Sequence, residues 1–285
     1  RTLEANDVSA TRPARFIVAA DGLRSTIARR LGVAHTARTP RRIAFVTHFR
    51  GVDDVGAYGE MHVERDGYLG IADVGHGVTN VAVVVPAGLA RAAAGDAAGF
   101  MERWIAARSH LTRRFARAER MEPVSVTGPF ASRARRCWLP GVALVGDAAD
   151  FFDPFTGEGI YNALRGGELL GAALIDALSA DSWSGANAAL ARYAAVRQAE
   201  FGAKARVERL LGLVIEHPLL MNRLVTALHR RKDLADLLVG VAGDFVPVRE
   251  VLSARYVTRL ALAALARPAS VPQSGESDSA AAPFT

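Results

Sequence analysis

Five consecutive apolar residues, Phe16 to Ala20, run into Asp21-Gly22 and predict a short strand buried on both faces. Beyond it Ser25 reads as an N-cap, and Ile27 and Leu31 continue at helical spacing as far as Gly32. Over residues 41–86 the pattern changes to short β-branched and aromatic runs at 43–50, 58–64, 67–73 and 80–85, punctuated by Gly and Asp, which predicts an antiparallel sheet. Residues 97–118 read as a helix with Phe100, Trp104, Ala107 and Leu111 on one stripe. Its other side carries Arg103, Arg108, Arg113, Arg114 and Arg117, a solvated face on this reading. A strand follows at 124–126, then a buried strand at 141–145 that ends on Gly146-Asp147. Residues 159–178 predict a long helix. From 186 to 266 the chain is nearly all helical, broken at Pro218 and at 243–247. Pro, Ser, Ala and acidic residues from 267 to 285 predict a disordered tail.

Composition narrows the classes. The net charge of +6 comes almost wholly from Arg, and no aromatic run interleaves with it, so a nucleic-acid groove has no support. Cys137 is the sole cysteine, which excludes an internal disulfide and a multi-cysteine metal site. No histidine pair has zinc-ligand spacing, and no serine sits in a nucleophile elbow, so neither a metal site nor hydrolase chemistry is expected. No stretch approaches the roughly 20 apolar residues of a membrane span, and no signal peptide is expected. A cytoplasmic protein is expected, with peripheral membrane contact left open by the apolar helices.

The chemistry concentrates in VALVGDAADFFDPFTGEGIYNALRGGELL, residues 142–170. A buried strand delivers Asp147 to its C-terminal end, where α/β sheets bind ligands. A loop with Pro154, Gly157 and Gly159 then opens a helix whose N-terminus favours an anion or an electron-rich ring. This stretch resembles the second flavin-binding motif of the p-hydroxybenzoate-hydroxylase-type flavoprotein superfamily. The resemblance implies FAD as cofactor and NAD(P)H as electron donor. It further implies that Gly146-Asp147 holds the ribityl chain and that the turn from Pro154 through Gly157, Glu158, Gly159 and Ile160 lies against the isoalloxazine ring. The segment AADGLRSTIARRLG, residues 19–32, resembles the superfamily's Asp-Gly motif, which places Asp21 and Gly22 near the pyrophosphate end of FAD. Ala28 stands where that motif usually has Arg.

The wording FDPFTGEGIYNALRGGEL and the helical stretch from Tyr193 resemble the geranylgeranyl-reductase-like group more than the aromatic hydroxylases. Asp150 stands where hydroxylases carry His, and Tyr161 where they carry Asn; both are acid–base candidates by position alone. The fingerprint GxGxxG that opens such flavoproteins is absent from residues 1–20, so a preceding βαβ unit is expected. The expectation is thus an α/β fold with a partial doubly wound, Rossmann-like FAD-binding domain at 1–40 and 129–180. An antiparallel β-sheet substrate domain at 41–128 is inserted into it, and a helical region occupies 181–266. Hydride from NAD(P)H would pass through FAD to a double bond of a hydrophobic prenyl- or polyketide-like substrate. Strands at 43–46 and 81–85 would wall its cavity. The alternative is a monooxygenase hydroxylating an aromatic or polyketide substrate, with Arg50 and Tyr68 as a carboxylate clamp. A halogenase of the same fold and a binding-only or inactive flavin fold are further rivals.

Overall fold

The structure is a computed structural model and describes residues 2–3, 9–10, 13–36, 41–93 and 95–265. The expected disordered tail over 267–285 lies outside the described residues.

The two apolar runs that end on Asp-Gly and Gly-Asp pair with each other. Ile17–Ala19 runs parallel to Val142–Leu144, with Ile17 opposite Val142 and Ala19 opposite Leu144. Trp138–Leu139 closes the other side of Val142–Leu144 as an antiparallel neighbour. A parallel pair buries both faces of its central member, and Ala143 and Leu144 are accordingly buried. Ile17–Ala19 departs from expectation because it is the edge of this sheet: Ile17 and Val18 are 49% and 41% exposed, and only Ala19 is buried.

Residues 42–127 supply every strand of a second, antiparallel sheet, ordered Ser125–Thr127, Arg42–Arg50, Val78–Pro86, Gly67–Asp73, Glu60–Glu64. Alternation splits its side chains between two faces. Phe45, Leu69, Ile71, Val81, Val83 and Val85 pack on Phe100, Met101, Trp104 and Ile105 of the Ala97–Ala106 helix. From the opposite face Ala44, Tyr68 and Val84 pack on Phe130 and Ile215, with Phe151 and Phe155 beside them. The motif loop therefore rests on the sheet.

The expected helix over 97–118 breaks at Ala107, an exposed C-cap, and resumes only as Ser109–Thr112. Its arginines are not one solvated face. Arg114 is buried and donates to both oxygens of Glu60 at 2.6 and 2.9 Å and to the carbonyls of Asp53 and Asp54. The Arg108 guanidinium lies over the Trp104 ring and pairs with Asp66. These two side chains fasten the segment to the sheet, whereas Arg103, Arg113 and Arg117 are exposed.

Gly159–Ser179 and Trp183–Phe201 form a helical hairpin over the parallel strands, sharing a core of Ala143, Val145, Leu170, Leu190 and Tyr193. The Tyr193 hydroxyl donates to the Leu144 carbonyl at 2.8 Å and anchors the hairpin to the strand. Four further helices follow among the described residues, Lys204–Ile215, Pro218–Arg230, Lys232–Ala242 and Ala254–Leu265. Among the described residues no single helix is long and apolar enough to cross a membrane. Lys204–Ile215 and Pro218–Arg230 reach that composition only as a pair bent by 116°.

Candidate functional site

The parallel pair brings both sequence motifs to one edge, where the Val145 N–H donates to the Ala19 carbonyl at 3.0 Å. Gly146 follows with φ of 58°, and a Cβ on it would lie 3.3 Å from the Ala163 Cβ. Glycine is thus required here twice over, by conformation and by the closeness of the Gly159–Ser179 helix. Asp147 comes next, half-buried, and a Cβ on Gly159 would sit 4.0 Å from its Oδ1, so the carboxylate lies beside the first turn of that helix. Burial, and then the charge of Asp150, raise its pKa above the ordinary carboxylate value. Among the described residues no donor reaches this carboxylate.

The helix N-terminus is open as well. Its N-cap, Glu158, makes no side-chain capping bond, which leaves the first-turn N–H groups and their partial positive charge available. Gly157 adopts φ of 74°, and a Cβ there would meet nothing within 4 Å, so the turn's backbone is approachable by a flat ligand. Asp153 shapes this turn by accepting from the Phe155 N–H at 3.1 Å. Asp153 is in turn held by the large sheet: Arg42 donates to its Oδ2 at 2.7 Å and Tyr68 to its Oδ1 at 2.5 Å. Arg42 also donates to the Gly212 carbonyl, so one buried guanidinium joins sheet, turn and C-terminal helices.

The sequence-identified residues divide between two sides of the turn. Gly146, Asp147, Glu158 and Gly159 converge, with Asp147, Glu158 and Gly159 lining a cavity of about 200 Å³. Pro154 is half-buried, Gly157 exposed, and Ile160 is 78% exposed and does not line the cavity. Asp21 caps the Thr26–Arg30 helix, accepting from the Thr26 and Ile27 N–H groups at 2.7 and 3.2 Å, while Gly22 has φ of 74° with open space around it. Of the two acid–base candidates, Asp150 is ion-paired with Arg197, and Tyr161 is exposed.

Several expectations about the cavity are corrected. Its apolar lining comes from Phe151, Phe152 and Phe201, not from strands 43–46 and 81–85, whose two faces are already packed. Arg50 is exposed and Tyr68 is buried on Asp153, so the two form no clamp. Outside the cavity, burial raises the pKa of the Cys137 thiol despite the nearby Arg197 charge. Residues that sequence reasoning missed are Arg42, Asp153, Lys204 and Glu208. Lys204 buries its ammonium between Glu158, 3.0 Å away, and Asp244, 2.6 Å away. One signal was present: Lys204 and Lys232 are the only lysines in a chain of 35 basic residues.

The donor set fits the ribityl and ring portion of a flavin. An unpartnered carboxylate suits hydroxyl donors, and an uncapped helix N-terminus with an open glycine turn suits an electron-rich ring edge.

Comparisons with known proteins place the chain among flavoproteins. The chain is 31% identical over 174 residues to a digeranylgeranylglycerophospholipid reductase of Methanothrix thermoacetophila, covering 58% of this chain and 42% of that protein. It is 28% identical over 240 residues to digeranylgeranylglycerophospholipid reductase 2 of Methanopyrus kandleri, covering 82% and 59%. The chain thus spans about half the length of these relatives. In fold it is similar to the solved structure of a flavin-dependent brominase, with a TM-score of 0.70 at 20% identity over 87% of this chain and 62% of that one. Residues 1–205 match the family described as FAD binding domain, and the chain belongs to that family.

Proposed function

We propose that this chain forms the flavin-ring side of an FAD-dependent oxidoreductase that draws on NAD(P)H and reduces a double bond in a hydrophobic, prenyl- or polyketide-like substrate. The observation that carries the reading is Asp147, a half-buried carboxylate without a donor partner among the described residues, set beside an uncapped helix N-terminus. On this reading Asp147 accepts hydrogen bonds from ribityl hydroxyls, and the backbone over Gly157–Ile160 lies along the ring. A bound flavin supplies hydride transfer, which no side chain offers. Asp153, clamped by Arg42 and Tyr68, fixes the turn against which the ring rests. Phe151, Phe152 and Phe201 give the cavity an apolar wall that excludes water from the reacting carbon. The same wall, the missing Arg50–Tyr68 clamp and the names of the archaeal relatives favour a hydrophobic chain over a small aromatic acid.

NAD(P)H oxidation by the intact FAD-loaded protein tests this, with and without oxygen, against geranylgeraniol and a phenolic acid. Anaerobic turnover yielding a more saturated chain is the expected result. Strict oxygen dependence with a hydroxylated product replaces the reductase reading with the monooxygenase one.

A further inference from the structure

We propose that Glu208 is a catalytic proton donor to the substrate in this cavity, with Glu158 and Lys204 holding its proton in place; the proposal rests on the reductase reading above. Glu208 lies on the Lys204–Ile215 helix and lines the same cavity as Asp147 and Gly159. Glu158, the residue between the two turn glycines, lines the cavity with it, and its charge acts on Glu208. A proton on Glu208 therefore sits directly beside the turn assigned to the flavin ring.

Charge balance explains why Glu208 keeps that proton. Lys204 is the one cation inside the cluster, and it is already shared between Glu158 and Asp244. The other nearby charges are largely matched in pairs: Asp150 with Arg197, and Asp153 with Arg42. Asp147 adds an unmatched carboxyl, while Arg209 on the same helix and Arg133 and His35 across the cavity reach its exposed rim. Glu158 and Glu208 thus share one cavity wall with a single ammonium that Asp244 also claims, and two such carboxyls cannot both ionise cheaply. Burial first, and then the Glu158 charge, push Glu208 up to about 8, so it is an intact acid at neutral pH. Glu158 is also raised by burial, but Lys204 pulls it back towards the ionised form. Glu158 Oε2 and Lys204 Nζ are both deeply buried and ion-paired, yet neither completes a well-aligned hydrogen bond. A polar cluster left in this condition at a cavity wall is able to shift a proton without first breaking a tight network.

Reduction of an alkene needs two electrons and two protons. Reduced flavin, where bound and regenerated by NAD(P)H, would supply the hydride for one C–H bond. The other C–H bond forms from the alkene π pair and the Glu208 proton. The Glu208 O–H bond breaks, and the carboxylate left behind is reprotonated from water. The only change in this chain is the loss and recovery of that proton.

The test follows anaerobic single-turnover oxidation of the reduced flavin by geranylgeraniol in the intact protein, across pH, together with infrared detection of protonated carboxyl groups. Glu208→Gln keeps the shape and a donor for Glu158 but has no acidic proton. It is expected to slow flavin oxidation roughly 10²–10⁴-fold while leaving FAD affinity unchanged. Glu208→Asp, which retains an acid, is expected to recover part of that rate. In the wild type the rate falls above about pH 8, and a carboxylic-acid band absent from Glu208→Gln disappears over the same range. A wild-type rate in Glu208→Gln, or a wild type without that band, overturns the proposal while leaving the reductase reading intact. A wild type whose band titrates but which reduces no alkene overturns the reductase reading itself, and the donor role with it.

Discussion

Asp147 and Glu208 are acids raised by burial on facing sides of one cavity, and they differ in what surrounds them. Asp147 lacks a donor among the described residues, as suits a group that waits for ligand hydroxyls. Glu208 is crowded by a second carboxyl, as suits a group that retains a proton. The difference has a measurable consequence for stability. Burial and the Glu158 charge push Glu208 up to about 8 in the folded protein from an ordinary 4.5, so between those values the folded state binds the extra proton. Stability contributed by that proton is present below pH 4.5 and is lost as pH rises towards 8. Urea unfolding of the wild type is expected to lose on the order of a few kcal/mol between pH 5 and pH 8. Glu208→Gln is expected to flatten that dependence. An identical pH profile in the variant would show that Glu208 is not the group being titrated. Asp147 was legible in the sequence because a strand ending in Gly-Asp before a glycine turn is a local pattern. Glu208 was not, because its partner Glu158 comes from a distant part of the chain, and a lone Glu in an amphipathic helix reads as solvated.

Elements transmit this arrangement through the Arg42–Asp153–Tyr68 cluster. Arg42 and Asp153 are both buried, with side chains 4% and 6% exposed. Removing Asp153 leaves the buried guanidinium with the Gly212 carbonyl and only a longer ion pair, 3.4 Å to Glu216. Asp153→Ala is therefore expected to cost about 3–5 kcal/mol, and Tyr68→Phe about 1–3 kcal/mol by leaving one Asp153 oxygen short of a donor. Thermal or denaturant unfolding measures both, and equal small losses would mean that the cluster does not tie the turn to the sheet. Gly146→Ala strains the strand-to-helix connection in two ways, through φ of 58° and through a Cβ 3.3 Å from Ala163. A cost of roughly 1–3 kcal/mol is expected by the same assay. The strands and the long helix were readable from periodicity, and the sheet's Gly67–Asp73 strand has the bounds the pattern predicts. The break at Ala107 and the burial of Arg114 were not readable, because both follow from tertiary partners. Glu60 and the carbonyls of Asp53 and Asp54 capture a side chain that periodicity assigns to solvent.

At the scale of the whole molecule, a helical hairpin and three sheets meet at one loop, the third sheet being formed by Ala34–Thr36, Ser132–Ala134 and Asp150–Phe151. The parallel pair presents Asp147, the antiparallel sheet supports the loop from below through Tyr68 and Arg42, and the Lys204–Ile215 helix closes the cavity with Lys204 and Glu208. The sequence order of motifs and inserted strands made this α/β layout legible, whereas the packing of the C-terminal helices onto the motif turn was not, since that packing depends on single polar contacts. Residues 1–285 contain no GxGxxG, so the fingerprint that grips the adenosine end of FAD is not among them. Expressed by themselves, these residues are expected to bind FAD weakly, and a saturable micromolar titration with defined stoichiometry would contradict that. The central claim is that Asp147 anchors the flavin. Measuring FAD affinity of the intact protein and of its Asp147→Ala variant by flavin fluorescence tests it most directly. Loss of a charge-assisted hydrogen bond predicts a weakening of about 1.5–3 kcal/mol, roughly ten- to a hundred-fold in affinity. Unchanged affinity would contradict the claim.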